Sequence, residues 1–329
     1  MKEIILHKYN SKFIIKDFSP KKLNPDQIRI KTAYAGISFT DVIIRKGLYK
    51  YQKENNPLPL TLGFEASGTV LETGSNVDNI SIGENVVVLR RFGCFSSEII
   101  ANGNEVIKIP NTVPLDIAAS LPVNFFTAWH ALHNIVNIFP NSKILITSAG
   151  GGVGGMLTQL ASPNHQVTGL VGLPTKINYV TSLGAQRVYT YKTYKYDSGY
   201  DVIFNSRGNC LKEYENVLTI NGKMINYGFH ELIPDKWIHY PKLILRYLRL
   251  PKFNVPNLVY GNKTIAGFNI IKLKNDSCEY LKTRKAFEKA LIEGNLQTPS
   301  ITKFEYQDVE KAFVYLESKT SVGKIILKF

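Results

Sequence analysis

The sequence predicts an α/β protein in two parts: a small β-barrel or twisted antiparallel sheet, then a doubly wound parallel sheet. Three observations carry this. Residues 1–120 read as short β-prone runs, such as 27–35, 66–73 and 84–89, punctuated by Gly36, Gly63, Gly74 and Gly83. From about residue 125 strands and helices alternate strictly, which implies a parallel sheet with crossover helices. The chain has 329 residues, more than one domain of roughly 100–200 residues, so two cores are expected.

In order, residues 143–149 (KILITSA) are a continuous apolar strand, and Gly150 to Gly154 follow. The segment from Val153 to Ala161 places Val153, Met156, Leu157 and Leu160 on one helical face. A strand at 166–171, a helix near 175–183, strands at 187–191 and 201–205, a helix near 211–218 and a strand at 223–227 come next. The tail, roughly 277–329, holds two helices and a final strand, VGKIILK, expected to return to the first domain.

Composition narrows the function classes. Apolar residues make up 44% and charged residues 20%, ordinary globular usage. No run of 18 apolar residues occurs, so no spanning helix is expected. The first residues, MKEIILHKYNSKF, lack the apolar core of a signal peptide. Three cysteines, Cys94, Cys210 and Cys278, form no CxxC pair, which argues against a disulfide framework and a structural zinc site. A reducing, cytoplasmic setting fits.

Lys+Arg 40 against Asp+Glu 26 gives +14, a field that favours anions. Only nine of those cations are Arg, and no nucleic-acid motif accompanies them, so specific nucleic-acid binding is not expected. Eight Lys or Arg and no acid fall between Lys236 and Asn275. Within this segment Lys242, Arg246 and Arg249 form one stripe at i, i+4 and i+7, bracketed by Pro241 and Pro251. It reads either as a short helix covering a domain flank or as a peripheral contact with an anionic membrane or acidic partner.

The run ILITSAGGGVGG (144–155) puts glycines between a buried strand and a helix. There a tight turn lets backbone approach a pyrophosphate while helix amides face the anion. Two registers fit: Gly150, Gly152 and Gly155, or Ala149, Gly151 and Gly154. At the end of the next strand a site for NADH usually carries Asp or Glu to hold the ribose 2′-OH. Here VTGLVGLPTK (167–176) has no carboxylate; Gly172 stands near that position and Lys176 lies just behind it. A 2′-phosphate meets no repulsion and gains a cation, which favours NADPH.

These residues resemble the zinc-free quinone oxidoreductase branch of the medium-chain dehydrogenase/reductase superfamily. GISFTDVIIRKGLY (36–49), LGFEASGTV (62–70), FFTAWHAL (125–132), SAGGGVGG (148–155), YDVIFNSRG (200–208) and SVGKIIL (321–327) occur in that branch's order. Residues 226–270 are most similar to its vesicle amine transport protein-like group. The resemblance implies a GroES-like β-barrel domain over 1–122, a Rossmann NADPH-binding domain over 123–262, and a return to the catalytic domain over 263–329. It also implies an active site in the cleft between the domains, and a homodimer.

Zinc-dependent relatives carry Cys and His where this chain has Ser38 and Phe64, and region 86–101 holds only Cys94. Zinc normally needs three protein ligands at a catalytic site, so no metal is expected. Hydride should then go to an acceptor already electrophilic, a quinone or an α,β-unsaturated carbonyl. The resemblance places the cofactor on Gly151, Gly152, Val153, Gly154, Gly172 and Lys176, with Tyr191 beside the adenosine phosphate. Thr127, Gly228 and Phe268 match further cofactor contacts, and Ser38 stands where quinone reductases usually have an Asn at the nicotinamide. Tyr49 is either the proton-donating hydroxyl or an aromatic wall. Asp41, His130 and His133 read as structural. The alternative is a nucleotide-binding but catalytically weak module, acting through its basic surface at a membrane or protein partner.

Overall fold

The computed structural model describes residues 1–19, 21–196, 199–233 and 253–329. The chain divides into two compact units: Met1–Phe126 with Leu273–Phe329, and Thr127–Lys272. The first runs through β1 (Lys2–Leu6), β2 (Ile14–Asp17), β3 (Gln27–Ile37), α1 (Phe39–Arg45), α2 (Lys50–Asn55), β4 (Leu60–Thr61), β5 (Glu65–Thr73), β6 (Asn85–Leu89), β7 (Glu98–Asn102), β8 (Val106–Lys108) and α3 (Leu115–Ala118). Helix α4 (Pro122–Trp129) carries the chain into the second unit: β9 (Lys143–Thr147), α5 (Gly152–Ala161), β10 (Gln166–Val171), α6 (Ile177–Ser182), β11 (Arg187–Thr190), β12 (Tyr200–Asn205), α7 (Leu211–Asn216), β13 (Leu218–Asn226), α8 (Val255–Tyr260) and β14 (Thr264–Gly267). The return to the first unit holds α9 (Cys278–Glu293), β15 (Ile301–Glu305), α10 (Val309–Glu317) and β16 (Lys324–Lys328).

The first unit is built on a sheet of order β15-β16-β3-β5-β6-β8, with β7 also pairing β3. Strand β3 shows why. Its alternation buries Ile28 and Ile30 while Lys31 stays exposed, the signature of a sheet with one covered face. The chain's last strand returns as expected: β16 pairs antiparallel with β3, from Ile325 opposite Ile37 to Lys328 opposite Tyr34. Parallel to it lies β15, a strand the sequence did not announce, because its ITKFE alternates without a fully buried residue. Aromatic packing holds α9 to α4, with Phe287 at 5.1 Å from Phe125 and 5.7 Å from Phe126 between ring centroids.

The second unit is an all-parallel sheet of order β11-β10-β9-β12-β13-β14. Counted from its own first strand this is the doubly wound order 3-2-1-4-5-6, whose order reverses between β9 and β12. Central strands are buried almost throughout, as in the last four residues of KILIT. The structure corrects several expected boundaries. Strand 143–149 stops at Thr147, because Ser148 takes φ +53 and turns the chain. The helix near 175–183 splits into a 3₁₀ turn, Pro174–Lys176, and α6, since Pro174 opens the turn. The strand expected at 223–227 begins at Leu218 and ends at Asn226, and α7 ends at Asn216. On α5 the buried face is Gly154 to Thr158 with Ala161, while Val153 and Leu160 are only half-buried. His130 and His133 lie in a π-helical segment, His130–Ile135, that follows α4. The stripe of Lys242, Arg246 and Arg249 lies outside the described residues.

Candidate functional site

The glycine turn sits where the doubly wound order reverses. Gly151 precedes α5 as its N-cap, and its N–H donates to the Ser148 carbonyl at 2.9 Å. A Cβ on Gly154 would lie 2.3 Å from the Ser148 oxygen and 2.8 Å from the Ala149 Cα. No side chain fits there, so the demand for smallness falls in the register of Ala149, Gly151 and Gly154. This holds the start of α5 against the end of β9. A helix leaves its first amides without carbonyl partners of its own, so Gly152 and Val153 stand in the turn that can donate to an anion.

Polar side chains close the ends of the neighbouring strands. The Thr147 hydroxyl donates to Asn205 Oδ1 at 3.3 Å and accepts the Ser206 N–H at 2.9 Å. Asn205 Nδ2 donates to Asn226 Oδ1 at 2.9 Å, and Asn226 Nδ2 to the Ala266 carbonyl at 3.3 Å. Phe268 follows β14, with its N–H on the Asn226 carbonyl at 3.2 Å and its ring 5.1 Å from that of His130. A Cβ on Gly228 would meet the Ser206 carbonyl at 2.6 Å. Gly228 and Phe268 thus belong to one edge, and Thr127 is buried at the end of α4. Sequence reading passed over Thr147, Asn205 and Asn226. The signal was present: KILIT, YDVIFN and GKMIN are apolar runs that each end on a polar residue.

The end of β10 is open, with Lys176 nearby in sequence. At Gly172 an added Cβ would find no heavy atom within 4 Å. Lys176 is 8% exposed, and its stem lies on the glycine turn: a Cβ on Gly150 would be 3.0 Å from its Cδ. Burial lowers the pKa of its ammonium. Tyr191 spans the strand ends; its N–H donates to the Val171 carbonyl at 3.1 Å and its phenol oxygen accepts the Ser148 N–H at 2.7 Å. Burial pushes that phenol's pKa up. Over the Tyr191 ring, 3.7 Å from its centroid, lies the guanidinium of Arg207, which the sequence reading did not single out.

In the first unit, Ser38 caps α1. Its N–H and hydroxyl both donate to Asp41 Oδ2, at 2.8 and 3.0 Å, and the Gly63 N–H donates to Asp41 Oδ1 at 3.1 Å. Asp41 is fully buried, and burial raises its pKa to about 6 against these hydrogen bonds. The Phe64 ring packs on Phe92 at 5.1 Å. Cys94 is fully buried, which pushes its thiol pKa up. Lys324 Nζ meets Glu65 Oε1 at 2.5 Å with both side chains almost wholly buried, and Glu65 Oε2 accepts the Val123 N–H at 2.8 Å. Tyr49 is 7% exposed, with its ring 6.4 Å from that of Tyr51. Among the described residues no three His, Cys, Asp or Glu side chains gather as a metal-binding group.

The described chain thus pairs a parallel sheet, with a glycine turn at its reversal, with a second unit built on a mostly antiparallel sheet. Residues 24–117 match the alcohol dehydrogenase GroES-like domain. The chain carries the fold of solved quinone oxidoreductases, and its homologues are quinone oxidoreductase-like and VAT-1 proteins. It is 29% identical to quinone oxidoreductase-like protein 2 of Bos taurus, over 95% of this chain and 88% of that one. To the synaptic vesicle membrane protein VAT-1 homolog of Danio rerio it is 25% identical over 93% of its length, spanning 64% of the zebrafish protein. The structure of Escherichia coli quinone oxidoreductase complexed with NADPH superposes with a TM-score of 0.84 at 22% identity, over all of both chains. That of CurK enoyl reductase gives 0.83 at 22% identity, over 99% of this chain and 98% of that one. No helix among the described residues is long and apolar enough to cross a membrane.

Proposed function

We propose that the chain is an NADPH-dependent, zinc-free oxidoreductase whose acceptor is a quinone or an α,β-unsaturated carbonyl. The observation that carries this reading is the strand-end edge of the second unit. There a turn too tight for any side chain at Gly154 adjoins open space at Gly172, with no carboxylate and with Lys176 alongside. Those residues fit a dinucleotide with a 2′-phosphate. When bound, NADPH supplies a hydride; the chain's own part is to place and shield it. The amides of Gly152 and Val153 would hold the pyrophosphate, and Lys176 and Tyr191 the adenosine phosphate. Thr127, Gly228 and Phe268 would position the rest.

In the first unit, Ser38 spends its hydroxyl proton on Asp41 and keeps acceptor capacity on its oxygen for the nicotinamide amide. Tyr49 is proposed to wall the acceptor and to donate the proton that neutralises the developing oxyanion. With Ser and Phe at the metal-ligand positions, the acceptor must bring its own electrophilicity. The quinone oxidoreductase complexed with NADPH and the enoyl reductase support both acceptor classes. The test is NADPH consumption, followed by absorbance, across a panel of quinones and enones. Turnover of at least one class, unaffected by a chelator, is expected. NADPH binding without turnover of any member would overturn the catalytic half of this reading.

A further inference from the structure

We propose that Arg207 is a specificity-determining residue of the nucleotide site, gripping the 2′-phosphate together with Lys176. The inference rests on the nucleotide reading above and adds a residue to it. Its argument begins with strand order. Tyr191 follows β11, yet its phenol oxygen meets the amide of Ser148, the residue after β9. Strand β10 lies between those two, so the Tyr191 ring reaches over the end of β10, the strand that Gly172 follows. Arg207 follows β12, on the other side of β9. Neighbouring strands are about 4.8 Å apart, so β12 and β10, two spacings apart, are separated by about 10 Å. The Arg207 guanidinium covers part of that gap, because it lies 3.7 Å from the centroid of the Tyr191 ring that reaches over the end of β10.

The guanidinium is also short of acceptors. Its Nε is buried and has no hydrogen-bond partner among the described residues. Its ion pair with Glu231 is a single contact, Nη2 to Oε1 at 3.5 Å, with the Arg207 side chain only 13% exposed. A planar fork of N–H groups placed over an aromatic ring, with one buried donor unspent, suits a phosphate oxygen. The Lys176 stem lies on the glycine turn and the Arg207 guanidinium lies over Tyr191, so two cationic side chains stand at these strand ends. A phosphate monoester there offers the acceptor that Arg207 Nε lacks among the described residues. A bare 2′-hydroxyl offers no anionic oxygen, and so Arg207 discriminates between the two dinucleotides.

The experiment compares wild type with Arg207→Met, which keeps an apolar stem against Tyr191. NADPH and NADH are titrated by nicotinamide fluorescence, and 2′,5′-ADP and ADP by calorimetry. Arg207→Met is expected to weaken NADPH and 2′,5′-ADP about tenfold or more, leaving NADH and ADP within twofold. Should that variant fail to fold, Arg207→Lys keeps the charge without the fork, and a smaller loss confined to the two phosphomonoester ligands is expected. Equal losses for all four ligands, or none, would overturn the assignment of Arg207. A wild-type protein that binds neither dinucleotide would instead overturn the underlying reading. A 2′-phosphate preference abolished by Lys176→Ala but untouched at Arg207 would remove this proposal alone.

Discussion

The two charged regions of the molecule are built on opposite plans. In the first unit every buried charge around the Ser38 corner is answered within the chain. Asp41 takes three hydrogen bonds from Ser38 and Gly63, and Glu65 is matched by Lys324 and the Val123 amide. Beside them Phe64 packs its ring on Phe92. At the strand ends of the second unit the balance is left open. Gly172 faces open space, and among the described residues the Nε of Arg207 keeps an unspent donor. A closed set of charges stabilises a fold, whereas an open one waits for a ligand. The first should therefore govern stability and the second affinity.

The strongest way to break this division is Glu65→Gln, which leaves Lys324 buried without its carboxylate. A loss of about 3–5 kcal/mol in urea unfolding is expected, with NADPH affinity unchanged in the folded fraction. Adding Lys324→Met should recover much of the loss; a parallel fall in affinity would show that the two regions are not separable.

Asp41 sharpens the same point through pH. Its folded pKa of about 6 stands above the ordinary 3.8, so the folded state holds the proton more tightly. The stability this group contributes is therefore greatest below about pH 4, declines as pH rises to about 6, and is flat beyond. Relative to Asp41→Asn, wild type should lose about 3 kcal/mol across that window. A pH-independent difference would mean that Asp41 ionises as an ordinary carboxylate.

On the open side, Gly154→Ala forces a Cβ to within 2.3 Å of the Ser148 oxygen. Displacing the start of α5 should weaken NADPH and NADH alike, by roughly thirtyfold, or about 2 kcal/mol. Unchanged affinity would show that the turn plays no part in binding. The smallest and most selective effect belongs to Lys176→Ala. About tenfold weaker NADPH with NADH untouched is expected, near 1.4 kcal/mol, and equal changes would reassign Lys176 to support of the turn.

Much of this was legible in the sequence because the physics was local. Periodicity separated the antiparallel half from the parallel half. The glycines between KILIT and α5 announced the turn, and Gly172, singled out after β10, stands beside open space. What escaped depended on partners distant in the chain. Strand β15 shows no buried residue to mark it, and its identity comes from pairing with β16. The register of the glycines turned on a carbonyl that only the folded turn brings to Gly154. Arg207 looked like one of nine arginines until Tyr191, sixteen positions earlier, came beneath it.

The contact between Lys176 and Gly150 makes the order of evolutionary change matter. With the lysine stem resting 3.0 Å from where a Cβ would stand, alanine at 150 makes that stem give by a few tenths of an ångström while lysine occupies 176. Lose the lysine, and position 150 is released. Its φ is not among the positive ones, so alanine can enter and stiffen the turn by about 0.4–1 kcal/mol through the unfolded chain. Once it has, a returning lysine must seat its stem a few tenths of an ångström away. On the reading that Lys176 holds the 2′-phosphate, reverting position 176 alone then returns the cation to a shifted seat.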